Sequence, residues 1–528
     1  MQNLALQYTK SENIDAKIKE SREFFYKRQF ELANSPNPQK EDLEFRLSQL
    51  RSLYWGLKDH EDEITKALEK DFHRSRQESI AFELIPLYNN ILDLIEKLPT
   101  WIKNEKIHET GDIFKFSTVE IQRIPLGSVL IISPFNFPVL LGLDPVASAI
   151  ASGNSVVWKP SELVPHTAAL VEKIVVSCLS PGLIQVIQGG VPETTRLLQE
   201  GSFDKIFYTG STLVGSIVAQ EAAKKLTPCI LELGGKSPVF ITESFPKKDL
   251  RSALKRIFFS AFCNSGQVCV AADYILVHKS HYKDVVSFGK EILNELWPQF
   301  DENSEFSYCI HDGSYQKTLQ KLEETKGITF NSQSASFKKV GRCIPPTLIF
   351  DVSWNDSLMK EENFAPVLPF LIYEDLDEVI DNVVELHDYP LAMYIFAKSD
   401  KEINHILRRI RSGACVVGDT MIHVSLSEAP FGGVRTSGYG SYHGKWSYTS
   451  FTHERTLLRQ PFWIEALNSV RYPPYSNKKI KIAQFATEKK PSFDRKGSRV
   501  WNSKDYLLMA LTGILVGFVA KKGLDNFS

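Results

Sequence analysis

The stretch "VLIISPFNFPVLLGLDPVASAIASGNSVVWKPSE", residues 129–162, decides the fold. It opens on a β-rich run, VLIISP (129–134), and closes on another, SVVWKP (155–160). Each is followed by a turn signal and a helix-like stretch. LIQVIQG (183–189) and KIFYTGS (205–211) repeat the pattern. Strands alternating with helices argue for an α/β architecture around a parallel sheet. A second apolar block starts at Ile230 and runs through DYILVH (273–278), LAMYIFA (391–397) and ACVVGD (414–419). Two α/β domains are therefore expected. Upstream, Leu43, Leu47, Leu50, Tyr54 and Leu57 recur at steps of three and four, the spacing of an amphipathic helix. No internal repeat is visible.

Length and composition bound the rest. The chain has 528 residues, 43% of them hydrophobic and 24% charged, as in an ordinary soluble globular protein with large cores. The formal net charge of -1 gives no basic face for a nucleic acid. Seven cysteines, an odd number in so long a chain, do not make a disulfide framework, which points to a reducing compartment. Glu12 and Asp15 are too early for an acidic-poor mitochondrial presequence, and no apolar core of a secretory signal precedes them. Residues 476–504 are basic and turn-rich and read as a linker. The uncharged run YLLMALTGILVGFVA (Tyr506–Ala520) follows, ending at Lys521 and Lys522.

Several short stretches could carry chemistry. GSTLVG (210–215) follows a strand and opens a helix, where free N–H groups and the helix dipole suit a pyrophosphate. It lacks the full G-x-G-x-x-G pattern, and a plain turn-and-cap explains it equally well. LELGGKSP (231–238) ends like a phosphate-binding loop, but Ile230 stands where that loop needs its first glycine, so an NTPase is excluded. What remains is Glu232 in an apolar run. Burial would raise its pKa, as a general base near neutral pH requires, while an ion-paired structural Glu is the plainer alternative. FCNSGQVCVA (262–271) holds Cys263 and Cys269 without a second Cys or His pair, so zinc is not indicated. An activated cysteine needs oxyanion donors, and the side-chain amide of Asn136, in the loop SPFNFP, is one candidate. A lone cysteine otherwise fills core space.

The order of these motifs adds what none carries alone. The Asn136 loop, WKPSE with Lys159, GSTLVG, LELGGKSP, NSGQVCVA and EENFAP (361–366) succeed one another in one chain. Together they resemble the NAD(P)-dependent aldehyde dehydrogenase superfamily over about residues 30–475. PFGGVRTSGYGSYHGKWSYTSFTHER and RYPPY are similar to its class 3 branch, which includes membrane-anchored fatty aldehyde dehydrogenases.

The resemblance implies a Rossmann-like NAD domain over 1–232, with an oligomerisation hairpin near 108–123, and a catalytic domain over 233–430. A return to the NAD domain and a β-oligomerisation arm would occupy 431–475. By similarity Cys269 is the nucleophile, Asn136 an oxyanion donor and Glu232 the base that activates water against a thioester. Lys159 and Glu162 match contacts to the adenosine ribose, and a carboxylate there favours NAD over NADP. Gly210, Ser211 and Gly215 match the pyrophosphate turn, with Leu233 beside it. Glu362 and Phe364 match the nicotinamide-ribose site. No metal is implied, and Cys263 is a packing residue. Four positions depart from the family pattern: Asn363, Ala365, Arg435 and Gly418.

A membrane-spanning helix needs about 20 apolar residues. The shorter run within 505–522, with Trp501 and flanking lysines, is expected to be a C-terminal transmembrane tail anchor in the mitochondrial outer membrane, with the catalytic part in the cytosol. The endoplasmic reticulum and lipid droplets are alternatives. An anchored homodimer suits lipid-soluble substrates, such as hexadecenal-type aldehydes from sphingolipid breakdown. Aromatic aldehydes of the benzaldehyde type are the second candidate, and a coenzyme A-dependent reductase is a competing class.

Overall fold

The computed structural model describes residues 6–298, 300–301, 304–332 and 341–500. The expected tail at 505–522 lies outside the described residues. Among those described, no helix is long and apolar enough to cross a membrane.

Two compact units divide the chain. The larger comprises Met1–Lys103 and Arg123–Glu454, the smaller Asn104–Gln122 and the chain from Arg455 on. In the larger unit two sheets carry the architecture. The first has six strands in the order Gly438–Tyr439, Cys229–Glu232, Lys205–Thr209, Ser128–Ile132, Ser155–Lys159 and Ile184–Val186. All its pairs are parallel except the edge pair Gly438–Tyr439 on Cys229–Glu232. Strand order reverses on either side of Ser128–Ile132. Open parallel sheets take ligands beyond the carboxyl ends of such strands.

The second sheet has seven strands, ordered Ile328–Asn331, Thr347–Phe350, Val367–Tyr373, Tyr274–His278, Pro238–Ile241, Ala392–Phe396 and Ala414–Val417. Only its Ile328–Asn331 edge is antiparallel. Parallel sheets are covered on both faces, so their strands read as unbroken apolar runs. Ser128–Ile132, Tyr274–His278 and Ala392–Phe396 are buried at every position. The helix foreseen from Leu43 to Leu57 spans Pro38–Asp59 and buries Leu47, Leu50, Leu53 and Leu57.

Helix Leu140–Ala151 lies close on the first sheet. A Cβ at Gly142 would stand 3.0 Å from Trp158, whose indole N–H donates to the Ser133 hydroxyl (2.7 Å). Asp71, at the end of helix Glu61–Phe72, accepts from the backbone N–H groups of His166 and Thr167 (3.2 and 2.8 Å). It thereby caps helix Pro165–Cys178 and offsets part of the desolvation of its own carboxylate.

In the smaller unit, Glu105 faces Ile121 and Lys106 faces Glu120 in an antiparallel pair. The stretch 476–504, expected to be a linker, contains a helix, Asn477–Thr487, capped by the Ser476 hydroxyl.

Candidate active site

Helix Leu250–Phe262 runs into a tight turn, Cys263–Gly266. Asn264, Ser265 and Gly266 adopt φ of +50°, +57° and +69° in succession. Each non-glycine residue there costs about 1 kcal/mol or more and persists only if its surroundings impose it. They do so here through a buried polar network. The Asn264 side-chain carbonyl accepts from the Arg74 Nε and Nη2 (3.2 and 2.6 Å), and its amide donates to the backbone carbonyls of Asn136 and Gln267 (3.0 and 3.2 Å). The Gln267 amide donates back to the Asn264 and Tyr308 carbonyls (3.1 and 3.0 Å).

Arg74 is 1% exposed and is paired with Glu83, which has no exposed surface. The second carboxylate oxygen of Glu83 accepts from the backbone N–H groups of Val139 and Leu140 (2.8 and 3.0 Å). Arg74 also donates to the Asn136 carbonyl (2.5 Å). The loop that carries Asn136 and the loop that carries Cys269 are thus one bonded assembly. Within it the Asn136 side-chain amide donates to the Gln267 carbonyl (3.0 Å). That bond uses one of its two donors.

Cys269 follows this turn. Burial pushes its thiol up to about 12, and the carboxylates of Glu362 and Glu232 push the same way. The backbone N–H groups of Cys269 and Val270 pull in the opposite sense. Glu232 ends its strand 3% exposed, with neither carboxyl oxygen bonded to another group. Its pKa is raised well above the ordinary carboxyl value by burial alone. Buried carboxyls without a partner are rare, because desolvation goes uncompensated. The Glu232 charge acts on the Cys269 thiol. A thiol there can form a covalent adduct with a carbonyl carbon, and an orphan carboxyl beside it can activate water against that adduct. Cys263 is 5% exposed and lies within the core.

Of the residues expected to bind the dinucleotide, Lys159 ends a strand of the first sheet, Ser211 follows another, and Glu362 lies in the loop before strand Val367–Tyr373 of the second. Lys159 is 4% exposed and donates to Glu162 (2.7 Å). Gly210 donates from its backbone to the Glu232 carbonyl (3.0 Å), and the Ser211 hydroxyl caps the 13-residue helix Thr212–Lys224. A Cβ at Gly215 would stand 2.5 Å from the end of the Leu233 side chain, so the helix start packs closely against the strand end. Glu362 is pushed up to about 8, first by burial and then by Asp273, while the Gly235 N–H holds it down. A Cβ on Gly234 would strike the Glu362 carboxyl. A helix N-terminus, one carboxylate beside a buried lysine and a second, buried carboxylate fit a dinucleotide's pyrophosphate and two riboses. Among the described residues no group of three His, Cys, Asp or Glu side chains could hold a metal ion.

The sequence profile of the aldehyde dehydrogenase family matches residues 6–457. The chain belongs to the aldehyde dehydrogenase family. It is 50% identical to a Saccharomyces cerevisiae protein named fatty aldehyde dehydrogenase HFD1, over 97% of both chains. It is 38% identical to the dimeric NADP-preferring aldehyde dehydrogenase of Canis lupus familiaris, over 82% of this chain and 93% of that one. Among solved structures, the substrate-bound Staphylococcus aureus AldH superposes with a TM-score of 0.82 at 33% identity, over 89% of this chain and 99% of the other. The protein is an NAD(P)-dependent aldehyde dehydrogenase with the α/β fold of that family.

The four departures from the family pattern now have surroundings. The Asn363 backbone and side-chain N–H groups both donate to Asp273 (2.8 Å each), which is also paired with the buried Lys236. Lys236 donates in turn to the carbonyls of Leu358 and Glu361 (2.7 and 3.0 Å). The Asn363 amide thus anchors the loop that bears Glu362. Ala365 is 5% exposed, and a Cβ on Gly266 would strike its carbonyl. Arg435 adopts φ +51°, a conformation that favours glycine, and its guanidinium lies over the Tyr389 ring (5.0 Å). Gly418 has φ +80° with open space around its Cβ position, a conformation that Asn also tolerates. Phe364 meets Phe135 edge-on (5.9 Å).

Sequence reasoning did not find Arg74, Glu83, Asn264 or Asp273. The one available signal was a charged residue without a local partner. Arg74 and Asn264 are 190 positions apart, so nothing short-range links them.

Proposed function

We propose that the chain oxidises medium- and long-chain aliphatic aldehydes to carboxylic acids with NAD as oxidant, through a covalent adduct on Cys269. The Cys269 sulfur loses its proton and bonds to the aldehyde carbon, giving a thiohemiacetal. The spare N–H of the Asn136 amide and the Cys269 backbone N–H stabilise the oxyanion. Bound NAD supplies the hydride acceptor, and a thioester remains on Cys269. Glu232 takes a proton from water, the water oxygen bonds to the acyl carbon, and the C–S bond breaks. The sum is aldehyde, NAD⁺ and water to acid, NADH and a proton.

The observation that carries this reading is the buried, unpartnered Glu232 carboxyl, whose charge acts on the Cys269 thiol. A hydrolytic enzyme needs such a base, whereas an acyl transfer to coenzyme A does not. Glu162 beside Lys159 supports NAD over NADP, since a carboxylate accepts from a ribose 2′-hydroxyl and repels a 2′-phosphate. The relative named for fatty aldehydes supports the aliphatic substrate. The apolar run Tyr506–Ala520 supports anchoring of a homodimer to the mitochondrial outer membrane, the catalytic part facing the cytosol.

The test is NADH formation by detergent-solubilised protein from acetaldehyde to hexadecenal, with benzaldehydes and added coenzyme A as further arms. Catalytic efficiency should rise with chain length and ignore coenzyme A. A preference for benzaldehydes would contradict the substrate, and dependence on coenzyme A would contradict the role of Glu232.

A further inference from the structure

The adenosine end of the cofactor site has a neighbour that none of the family motifs contains. The segment before the first helix is pinned to the edge of the six-stranded sheet. The Thr9 backbone N–H donates to the Gln188 carbonyl (2.8 Å), and the Gln188 N–H donates to the Thr9 hydroxyl (3.0 Å). Helix Ser11–Ala33 then buries Ile14 and Ile18 in the core beneath that sheet, and Asp15 accepts from the Arg196 Nε (3.1 Å). Tyr8 is thereby held beside Gly190, the residue that caps helix Val191–Glu200.

Gly190 has no side chain, and the space a Cβ would take is bounded on one side by two residues. The Glu162 Oε1 and the Tyr8 hydroxyl each lie 3.9 Å from that position. The niche is therefore walled by the ribose-reading carboxylate and by a phenol. Tyr8 is half exposed, so its hydroxyl can reach a ligand. Burial first, then Glu162 and Glu193, raise the pKa of that hydroxyl, so it stays a neutral donor.

We propose that Tyr8 is a cofactor-binding residue that helps select NAD: its hydroxyl donates to the adenosine ribose 2′-oxygen while Glu162 accepts from the same 2′-hydroxyl. This rests on the ribose role of Glu162 proposed above. A 2′-phosphate in this niche would meet two carboxylates and a neutral phenol in place of a second cation. The N-terminal segment thus becomes part of the cofactor site.

The test is a fluorescence titration of the full-length, detergent-solubilised protein with NADH and with NADPH, in the absence of aldehyde. Wild type, Tyr8→Phe, Tyr8→Ala and Glu162→Gln are compared, with thermal melting as a check on folding. A lost hydrogen bond should weaken NADH binding about three- to tenfold in Tyr8→Phe. NADPH binding should change less, so the NADH/NADPH preference narrows. The KM for aldehyde should stay as in wild type, a split that general destabilisation would not give. If Glu162→Gln weakens NADH while both Tyr8 variants bind like wild type, the inference about Tyr8 is overturned and the ribose reading survives. If Glu162→Gln also binds like wild type, both fall.

Discussion

Burial, then the carboxylates of Glu362 and Glu232, hold the Cys269 thiol in its protonated form. A thiol at about 12 is almost wholly protonated at neutral pH, and its thiolate fraction grows tenfold per pH unit. Alkylation of the cofactor-free protein by iodoacetamide, followed by mass spectrometry of the Cys269 peptide, should therefore accelerate about tenfold per unit between pH 7 and 10. A pH-independent rate would show a thiolate already present. A carboxyl acts as a base only when deprotonated, and burial moves the ionisation of Glu232 upward. Steady-state turnover should rise with pH through it. Glu232→Gln should lose this limb and fall roughly 10²–10³-fold, yet still release one rapid equivalent of NADH, because thioester formation precedes the step that needs the base. Neither residue stands out alone in the sequence; the two are legible there only through the order of the surrounding motifs, NSGQVCVA and LELGGKSP among them. The sequence does not show that the Glu232 oxygens lack partners, a fact about every neighbour of the strand end.

The strands were legible for a local reason. A strand buried on both faces must be apolar throughout, and VLII, VVW and YILV announce themselves. The bracing between elements was not legible, because it joins residues distant in sequence. Arg74, nine positions from Glu83 and 190 from Asn264, links the turn that precedes Cys269 to the loop bearing Asn136. Removing one partner of a buried ion pair leaves an uncompensated charge. Arg74→Met should destabilise the protein by about 3–5 kcal/mol, read as an earlier thermal transition. Arg74→Lys keeps the charge but not the planar fork, and should recover part of the stability and little of the kcat. A kcat unchanged in both variants would mean that the two loops hold their positions without this pair.

On the scale of the whole molecule the two sheets bring together motifs from 129 to 439, while the apolar tail is legible in composition alone. An enzyme for lipid-soluble aldehydes benefits from residence at the surface where they partition. The truncated chain ending at residue 500 should leave liposomes that the full chain sediments with. It should keep its kcat on a short, soluble aldehyde and lose efficiency mainly on hexadecenal. Equal sedimentation of both chains would move the membrane contact elsewhere.

The covalent adduct is the claim on which the rest depends, and trapping it is the most direct test. Glu232→Gln is mixed with NAD and hexadecenal, quenched in acid within the rapid phase, digested and analysed by mass spectrometry. The peptide containing FCNSGQVCVA should be enlarged by one hexadecenoyl group, with fragmentation placing it on Cys269 and leaving Cys263 free. NADH formed without an acyl group on Cys269, or with it on another residue, would contradict the account.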